Sequence, residues 1–123
     1  MPVYAIKGFE RFRRKERISN DVLLRAIERA TSGLIDADLG GGLIKQRVAR
    51  PGQGKRGGYR TIIAYRAGQR AVFLFGIAKT ARDNIAPEDL AHWRLFGADL
   101  LMASDEAIMT AIGDNELTEV NDD

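Results

Sequence analysis

A pair of apolar runs joined by a very short connection constrains the fold of this chain more than any other feature. The runs YRTIIAYR and RAVFLFGIAK are rich in aromatic and β-branched residues, and only Ala67, Gly68 and Gln69 separate them. Residues of this kind favour strands. A connection this short joins antiparallel neighbours, because a parallel pair needs a crossover of about a dozen residues or more. The sequence therefore predicts a β-hairpin after the middle of the chain.

A third strand is predicted just before the hairpin. In LIKQRVAR, which follows three glycines, Ile44, Gln46 and Val48 fall on one face of a strand and Lys45 and Arg47 on the other. The connection PGQGKRGG is rich in glycine and is expected to form an exposed loop. It lacks the nucleotide-binding pattern GxxxxGK[ST], and no helix is predicted after it. We expect the three strands to form one antiparallel sheet.

The first third of the chain predicts one strand and two helices. The short apolar stretch at residues 3–6 has the length and composition of a strand. The run FERFRRKER at residues 9–17 predicts an amphipathic helix whose outer surface is strongly cationic. Ser19 and Asn20 are favourable N-cap residues for a second helix, which Gly33 is expected to end.

The last third of the chain predicts further helices. Pro87 and the carboxylates after it are typical of a helix start. A weaker helix is expected over residues 105–112, followed by a frayed end at TEVNDD. Together the elements predict an α+β fold of order β-α-α-β-β-β, with an antiparallel sheet packed by helices and one or more helices after it. We expect one domain over residues 1–104 and an acidic helix or tail over residues 105–123.

The composition excludes several kinds of chemistry. The chain has 123 residues, which suits a single domain, and it contains no cysteine and one histidine. Disulfides, thiolate catalysis and cysteine-based zinc sites are therefore excluded, and no metal or cofactor is expected. His92, beside Trp93, is expected to be a surface or core-edge residue of a helix. No run approaches the roughly 20 apolar residues of a membrane span, so the expectation is a soluble cytoplasmic protein.

The charge is divided unevenly along the chain. The net charge is only +2, but residues 1–82 carry +12 and residues 83–123 carry −10. A body this basic favours a polyanionic partner. The acidic end is expected to face a basic partner or to fold back on the body. A solvated surface with segregated charges is the alternative for each half.

The basic residues of the predicted sheet form the most informative group. Three neighbouring strands and their loop would bring them over one face, where arginine offers bidentate contacts to phosphates and lysine a compact charge. Taken singly, each is best explained as part of a solvated strand face; taken together, they indicate a nucleic-acid surface. Tyr59 either stacks on a base or packs under the sheet. The group comprises Lys45, Arg47, Arg50, Lys55, Arg56, Arg60, Lys79 and Arg82.

Two motifs resemble a known family. KQRVARPGQGKRGGYRTIIAY and FLFGIAKTARDNI, separated by a short turn, are similar to the RelE/HigB group of type II toxins, in particular to its HigB-like branch with an RxGxGKxGGxR core and a GxAK ending. The resemblance implies a RelE-like fold and a toxin that cleaves messenger RNA in the ribosomal decoding site. It also implies metal-independent attack by the ribose 2′-hydroxyl, and inhibition by a cognate antitoxin of the helix-turn-helix, HigA-like type.

The resemblance also suggests roles for individual residues. We expect Arg60 to stabilise the charge of the phosphorane-like transition state, while Arg47 and Arg82 hold flanking phosphates. Lys45 or Lys55 is the candidate base, because neighbouring cations disfavour the charged form of a lysine. Lys79 is the candidate acid for the leaving oxygen. The candidate catalytic residues are thus Lys45, Lys55, Arg60 and Lys79, and the candidate RNA-binding residues are Arg47, Arg50, Arg56, Tyr59 and Arg82.

Two other functions fit the same sequence. A toxin of the ParE type would share the fold and act on DNA gyrase, although the dense basic sheet face argues against it. A non-catalytic RNA-binding protein that represses its own operon together with a partner is the other alternative. Relatives often place a tyrosine or histidine at the site, whereas only His92 follows Tyr65 in this chain. We therefore expect catalysis that is weak or strictly dependent on the ribosome.

Overall fold

A computed structural model describes residues 1–50, 54–77 and 86–122 of the chain. For residues 54–57 it describes the backbone only. The elements are β1 (Val3–Ile6), α1 (Lys7–Lys15), α2 (Asn20–Thr31), β2 (Ala37–Gly40), β3 (Leu43–Arg50), β4 (Gly54–Arg66), β5 (Arg70–Ile77), α3 (Pro87–Met102), α4 (Asp105–Gly113) and β6 (Leu117–Glu119).

The strands form one sheet in the order β2-β3-β4-β5-β1-β6. The predicted hairpin is confirmed: β4 and β5 are antiparallel, and Arg66 pairs with Arg70 next to the turn. β3 pairs antiparallel with β4, as predicted. β1 is parallel to β5, so the sheet is mixed. The helices α1 and α2 and the strands β2 to β4 lie between these two strands in the chain. The α+β prediction is confirmed, with the sheet at the centre and helices on both of its faces.

The start of β4 corrects the predicted loop over PGQGKRGG. β4 begins at Gly54, and Gly54 pairs with Arg50 of β3 across a register shift. Residues 54–58 are therefore strand, and residues 51–53 lie outside the described residues. Glycine carries a complete set of backbone hydrogen-bonding groups, so a neighbouring strand can pair with it although its local preference is for turns.

The end of the chain corrects the expectation of a frayed TEVNDD segment. β6 pairs antiparallel with β1, and the Val120 N–H donates to the Val3 carbonyl at 2.8 Å. Leu117 and Val120 are each only 3% exposed. The acidic segment thus ends in a strand at the edge of the sheet opposite β2. The boundary predicted after residue 104 stays a prediction.

Two cores lie on the two faces of the sheet. On one face α1 and α2 pack against the sheet through Phe9, Leu23 and Phe73, all 1% exposed or less. On the other face α3 and α4 cover Leu43 and Leu74. Helix α2 begins at the predicted N-cap Ser19, whose hydroxyl accepts from the Val22 N–H at 3.4 Å. The helices leave the sheet fixed between two apolar layers.

Arg70 shows that part of the positive charge is structural. This residue is 9% exposed, and its guanidinium donates to the carbonyls of Leu100 and Ala103 at 2.7 and 2.8 Å. It also meets the Asp105 carboxylate at 3.3 Å. A cation at the carbonyl end of a helix is favoured by the helix dipole. Arg70 therefore holds the α3 to α4 corner against β5.

The contact between Gly76 and Phe12 gives a stability prediction. A Cβ atom on Gly76 would lie 2.3 Å from the Phe12 ring, which is itself packed against Phe9 and Tyr59. We expect Gly76→Ala to lower the free energy of unfolding by about 1–3 kcal/mol through overpacking. Gly8→Ala is the matched control, because nothing lies within 4 Å of its Cβ position and alanine favours the helix. Denaturant unfolding measures both, and an unchanged midpoint for Gly76→Ala would contradict the packing described.

Candidate nucleic-acid interface

Lys45, Arg47 and Arg60 share one face of the sheet. Arg47 pairs directly with Arg60 across β3 and β4, and Lys45 pairs with Ile62. Direct partners point to the same face, as do residues two apart on one strand. All three cations are half-buried rather than fully solvated. This group, which we call the sheet-face cations, is the part of the predicted basic cluster that the structure brings together.

The opposite face of β3 explains why these cations point outward. Ile44 is 5% exposed, and Gln46 and Val48 are completely buried, as the alternation predicted. The Gln46 amide donates to the carbonyls of Ala26 and Leu34 at 3.0 and 2.9 Å, and its oxygen accepts from the Asp36 N–H at 3.1 Å. A single side chain therefore joins β3 to α2 and to the segment before β2.

Beyond the short strand β2, side chains occupy the open edge of β3. The Arg47 N–H donates to the Asp36 carboxylate at 2.6 Å, and the Arg29 guanidinium donates to the Arg47 carbonyl. A recess of about 240 Å³ lies here, lined by Arg29, Asp36, Arg47 and Ala49. Sequence reasoning did not single out Arg29 or Asp36, because neither lies on the predicted basic strands. The Arg29 guanidinium and the Asp36 carboxylate give this recess a donor for phosphate oxygens and an acceptor for a hydroxyl group.

Tyr59 and Arg50 lie on the other side of the sheet. Tyr59 is 2% exposed, and its hydroxyl donates to the Glu16 carboxylate at 2.8 Å. Its ring meets the Phe12 ring edge-on at 5.5 Å, and the Arg50 guanidinium lies 5.7 Å from the ring centre. The packing alternative for Tyr59 is therefore what the structure shows, and the ring offers no face to a base. Arg50 is separated from the sheet-face cations by the sheet itself.

The remaining predicted residues are described in part or not at all. Lys55 and Arg56 lie on β4, and only their backbone is described. Lys79 and Arg82 lie outside the described residues. Within the described ranges, no group of three or more His, Asp or Glu side chains is placed to hold a metal ion.

An aromatic pair lies next to the sheet-face cations. Phe75 pairs with Ile62, which in turn pairs with Lys45, so the three residues form one row across the sheet. Phe75 is 37% exposed, and its ring centre lies 6.0 Å from that of Trp93 on α3. His92 is exposed and contacts Trp93 at 5.9 Å, as expected for a helix-surface histidine.

A β-bulge places Phe75 on this face, and sequence reasoning missed it. Ile63 pairs with Phe73, whereas Ile62 pairs with Phe75, so Leu74 is an extra residue in β5. Strict alternation would have placed Phe75 beside Phe73 in the α1 core. The bulge moves it to the opposite face, next to Leu74. Bulges carry no reliable signal in one sequence, apart from a Gly, here Gly76, close to the shift.

The comparisons identify the family. A family model described as the RelE toxin of the RelE/RelB toxin-antitoxin system matches residues 1–120. The chain belongs to this family, and the sheet with helices on both faces agrees with a RelE-like α+β fold. It is therefore a toxin of a toxin-antitoxin system, and membership implies a cognate antitoxin. A search of curated proteins found no match. Across residues 1–50, 54–77 and 86–122, no helix has the length and apolar character needed to span a membrane.

The Tyr59 to Glu16 hydrogen bond gives a pH prediction. Burial, followed by this hydrogen bond, raises the pKa of Tyr59 above its ordinary value of 10.0. A raised pKa means that the folded protein holds the proton more tightly than the unfolded chain, so stability is constant below about pH 10 and falls as pH rises further. We expect Tyr59→Phe to cost about 1 kcal/mol at neutral pH and to reduce this alkaline loss. Urea unfolding at neutral and alkaline pH measures both effects, and an unchanged alkaline slope would contradict the assignment.

Proposed function

We propose that this toxin is a ribosome-dependent endonuclease that cleaves messenger RNA through the ribose 2′-hydroxyl without a metal ion. The observation that carries the proposal is the direct cross-strand pairing of Arg47 with Arg60, with Lys45 in the adjacent row. Like charges directly opposite each other destabilise a sheet. A phosphate that binds between the two guanidinium groups would accept a charge-assisted hydrogen bond from each of them.

The chemistry requires little beyond positioning, charge and proton transfer. The 2′-oxygen attacks the adjacent phosphorus, the bond to the 5′-oxygen breaks, and the products carry a cyclic phosphate and a free 5′-hydroxyl. Arg60 stabilises the negative charge that develops on the phosphoryl oxygens, and Arg47 holds the flanking backbone. Lys45 takes the 2′-hydroxyl proton as general base. Lys55 stays an alternative base, Lys79 the proposed acid, and Arg56 and Arg82 proposed backbone contacts.

The exposed Phe75 ring supports a single-stranded substrate. Phe75 lies one row from Arg47 and Arg60 and is exposed beside the half-buried Trp93, and an exposed ring of this kind can stack on an unpaired base. Such stacking contributes about 1–3 kcal/mol per base and tolerates any sequence. Messenger RNA in the decoding site is single-stranded and displays its bases. The ribosomal site of action and the HigA-like, helix-turn-helix antitoxin are proposed from the RxGxGKxGGxR and GxAK motifs alone.

Cleavage on translating ribosomes tests the proposed site. We expect Arg60→Ala and Lys45→Ala each to lower the rate of reporter cleavage by about 10²-fold or more, since each removes a group that acts in the transition state. Arg66→Ala is the matched control on the same strand, because Arg66 is exposed at the hairpin end of β4. Primer extension maps the cut sites, and chemical analysis of the 3′ ends detects the cyclic phosphate.

Two outcomes would overturn the proposal. Growth arrest with intact messenger RNA and poisoned gyrase would indicate a ParE-type activity. RNA binding without cleavage on active ribosomes would indicate a non-catalytic protein.

Loss of activity through misfolding is separable, because Arg60→Gln removes a like-charge pair and should leave the free energy of unfolding unchanged or raise it by about 0.5 kcal/mol. Its urea midpoint is therefore the folding control.

A further inference from the structure

Helix α1 presents a surface that is almost entirely cationic. Of the charged side chains in residues 7–17, the exposed ones are all basic. Arg14 has 77% of its side chain exposed, although its guanidinium also meets the buried Glu10 carboxylate at 3.7 Å. We call this surface the α1 ridge; it consists of Lys7, Arg11, Arg14, Lys15 and Arg17.

The two carboxylates of the same segment are withdrawn from this surface. Glu10 is 6% exposed, and it accepts from Arg13 at 2.8 Å. The Arg13 guanidinium also donates to the Ile18 carbonyl and to the Asn20 side chain, at 3.1 and 2.6 Å, which ties the end of α1 to the start of α2. Glu16 accepts from the buried Tyr59 hydroxyl. Folding therefore sorts the charges of this segment, with the acids inside and the cations outside.

Helix stability does not account for the whole ridge. Cations in the last turn, such as Arg14 and Lys15, are favoured by the helix dipole. Lys7 is the first residue of α1, where the dipole disfavours a cation. Lys7, Arg11 and Lys15 follow each other at four-residue spacing, so they form one row about 6 Å apart along the helix. A row of like charges at this spacing is destabilising on its own.

Helix α1 packs on the end of the sheet that holds the candidate site, on the opposite face from the sheet-face cations. Phe12 of α1 packs against Gly76, which pairs with Thr61, the neighbour of Arg60. The Phe12 ring also meets the Tyr59 ring, and the Arg50 guanidinium lies 5.7 Å from the centre of the Tyr59 ring. Arg50 therefore lies on the α1 side of the sheet, at the end of the strand that also carries Lys45 and Arg47.

We propose that the α1 ridge binds the RNA sugar-phosphate backbone outside the scissile site, with Arg50 joining the two surfaces around the end of the sheet. This inference rests on the proposed function, since it takes RNA as the polyanion. A phosphate backbone fits an array of cations that lacks exposed carboxylates and aromatic rings, whereas a protein partner would be expected to meet apolar anchors as well. The ridge supplies affinity and orientation without sequence selectivity.

Binding of non-cleavable RNA to the full chain tests the ridge. We use 2′-O-methyl RNA, which lacks the attacking hydroxyl, in lengths of about 4 and about 16 nucleotides, the range that a small RNA-binding surface covers. The variant Arg11→Gln/Lys15→Gln removes two exposed cations without disturbing Glu10. Arg25→Gln/Arg66→Gln is the matched control, because it removes the same charge from exposed positions outside α1.

We expect the ridge variant to bind the long RNA about tenfold more weakly than the wild type. The slope of log K against log salt should become shallower by about 1.4, which is about 0.7 for each of the two lost phosphate contacts. Its affinity for the short RNA and its cleavage rate at saturating RNA should match the wild type, as should the control for both RNAs. Equal losses in both variants, or no loss in either, would overturn the proposal, as would a ridge variant that loses antitoxin binding only. If the wild type binds RNA through the ridge and cleaves none, the proposed function fails and the ridge stands.

Discussion

The pairing register between β3 and β4 is the constraint on which the candidate interface depends. Side chains alternate between the two faces of a sheet, so a slip of one residue would turn Lys45 and Arg47 into the α2 core. Gln46 prevents the slip. Gln46 is completely buried, and its side-chain amide makes three hydrogen bonds to α2 and to the segment after α2. The backbone carbonyl of Gln46 accepts from the Thr61 hydroxyl at 2.7 Å. Leaving any of these groups unpaired would cost about 1–3 kcal/mol, which makes the register energetically specific.

The parts of the fold that local patterns determine were predictable from the sequence. The hairpin, the alternation in β3 and the Ser19 cap each depend on residues close together in the chain, and the structure confirms them. The strand β6 was not predictable in this way, because its partner β1 lies more than a hundred residues earlier. Gly54 at the start of β4 shows the same effect, since pairing with Arg50 outweighs the local preference of glycine for turns.

The sequence predicted which cations belong to the candidate site, but it did not predict which other side chains share their face of the sheet. The sequence placed Lys45, Arg47 and Arg60 together, and the register agrees. It also grouped Arg50 with them, whereas the structure puts Arg50 over Tyr59 on the α1 side. Phe75 reaches the interface only because Leu74 is an extra residue in β5. Sequence alternation assigns faces correctly until a bulge or an end-of-strand shift intervenes, and both occur at this end of the sheet.

The separation of charge along the chain becomes a separation in space. The acidic final third ends in β6, which pairs with β1 at one edge of the sheet, whereas the sheet-face cations lie on β3 and β4 towards the other edge. The last strand of the acidic segment is thus held by its own pairing with β1. On the α1 side, the Glu10 carboxylate accepts a hydrogen bond from Arg13, and the Glu16 carboxylate accepts one from the Tyr59 hydroxyl. Both arrangements hold the carboxylates of β6, Glu10 and Glu16 away from the face that carries Arg47 and Arg60, so the positive charge of the first two thirds of the chain is concentrated on that face and on the α1 ridge.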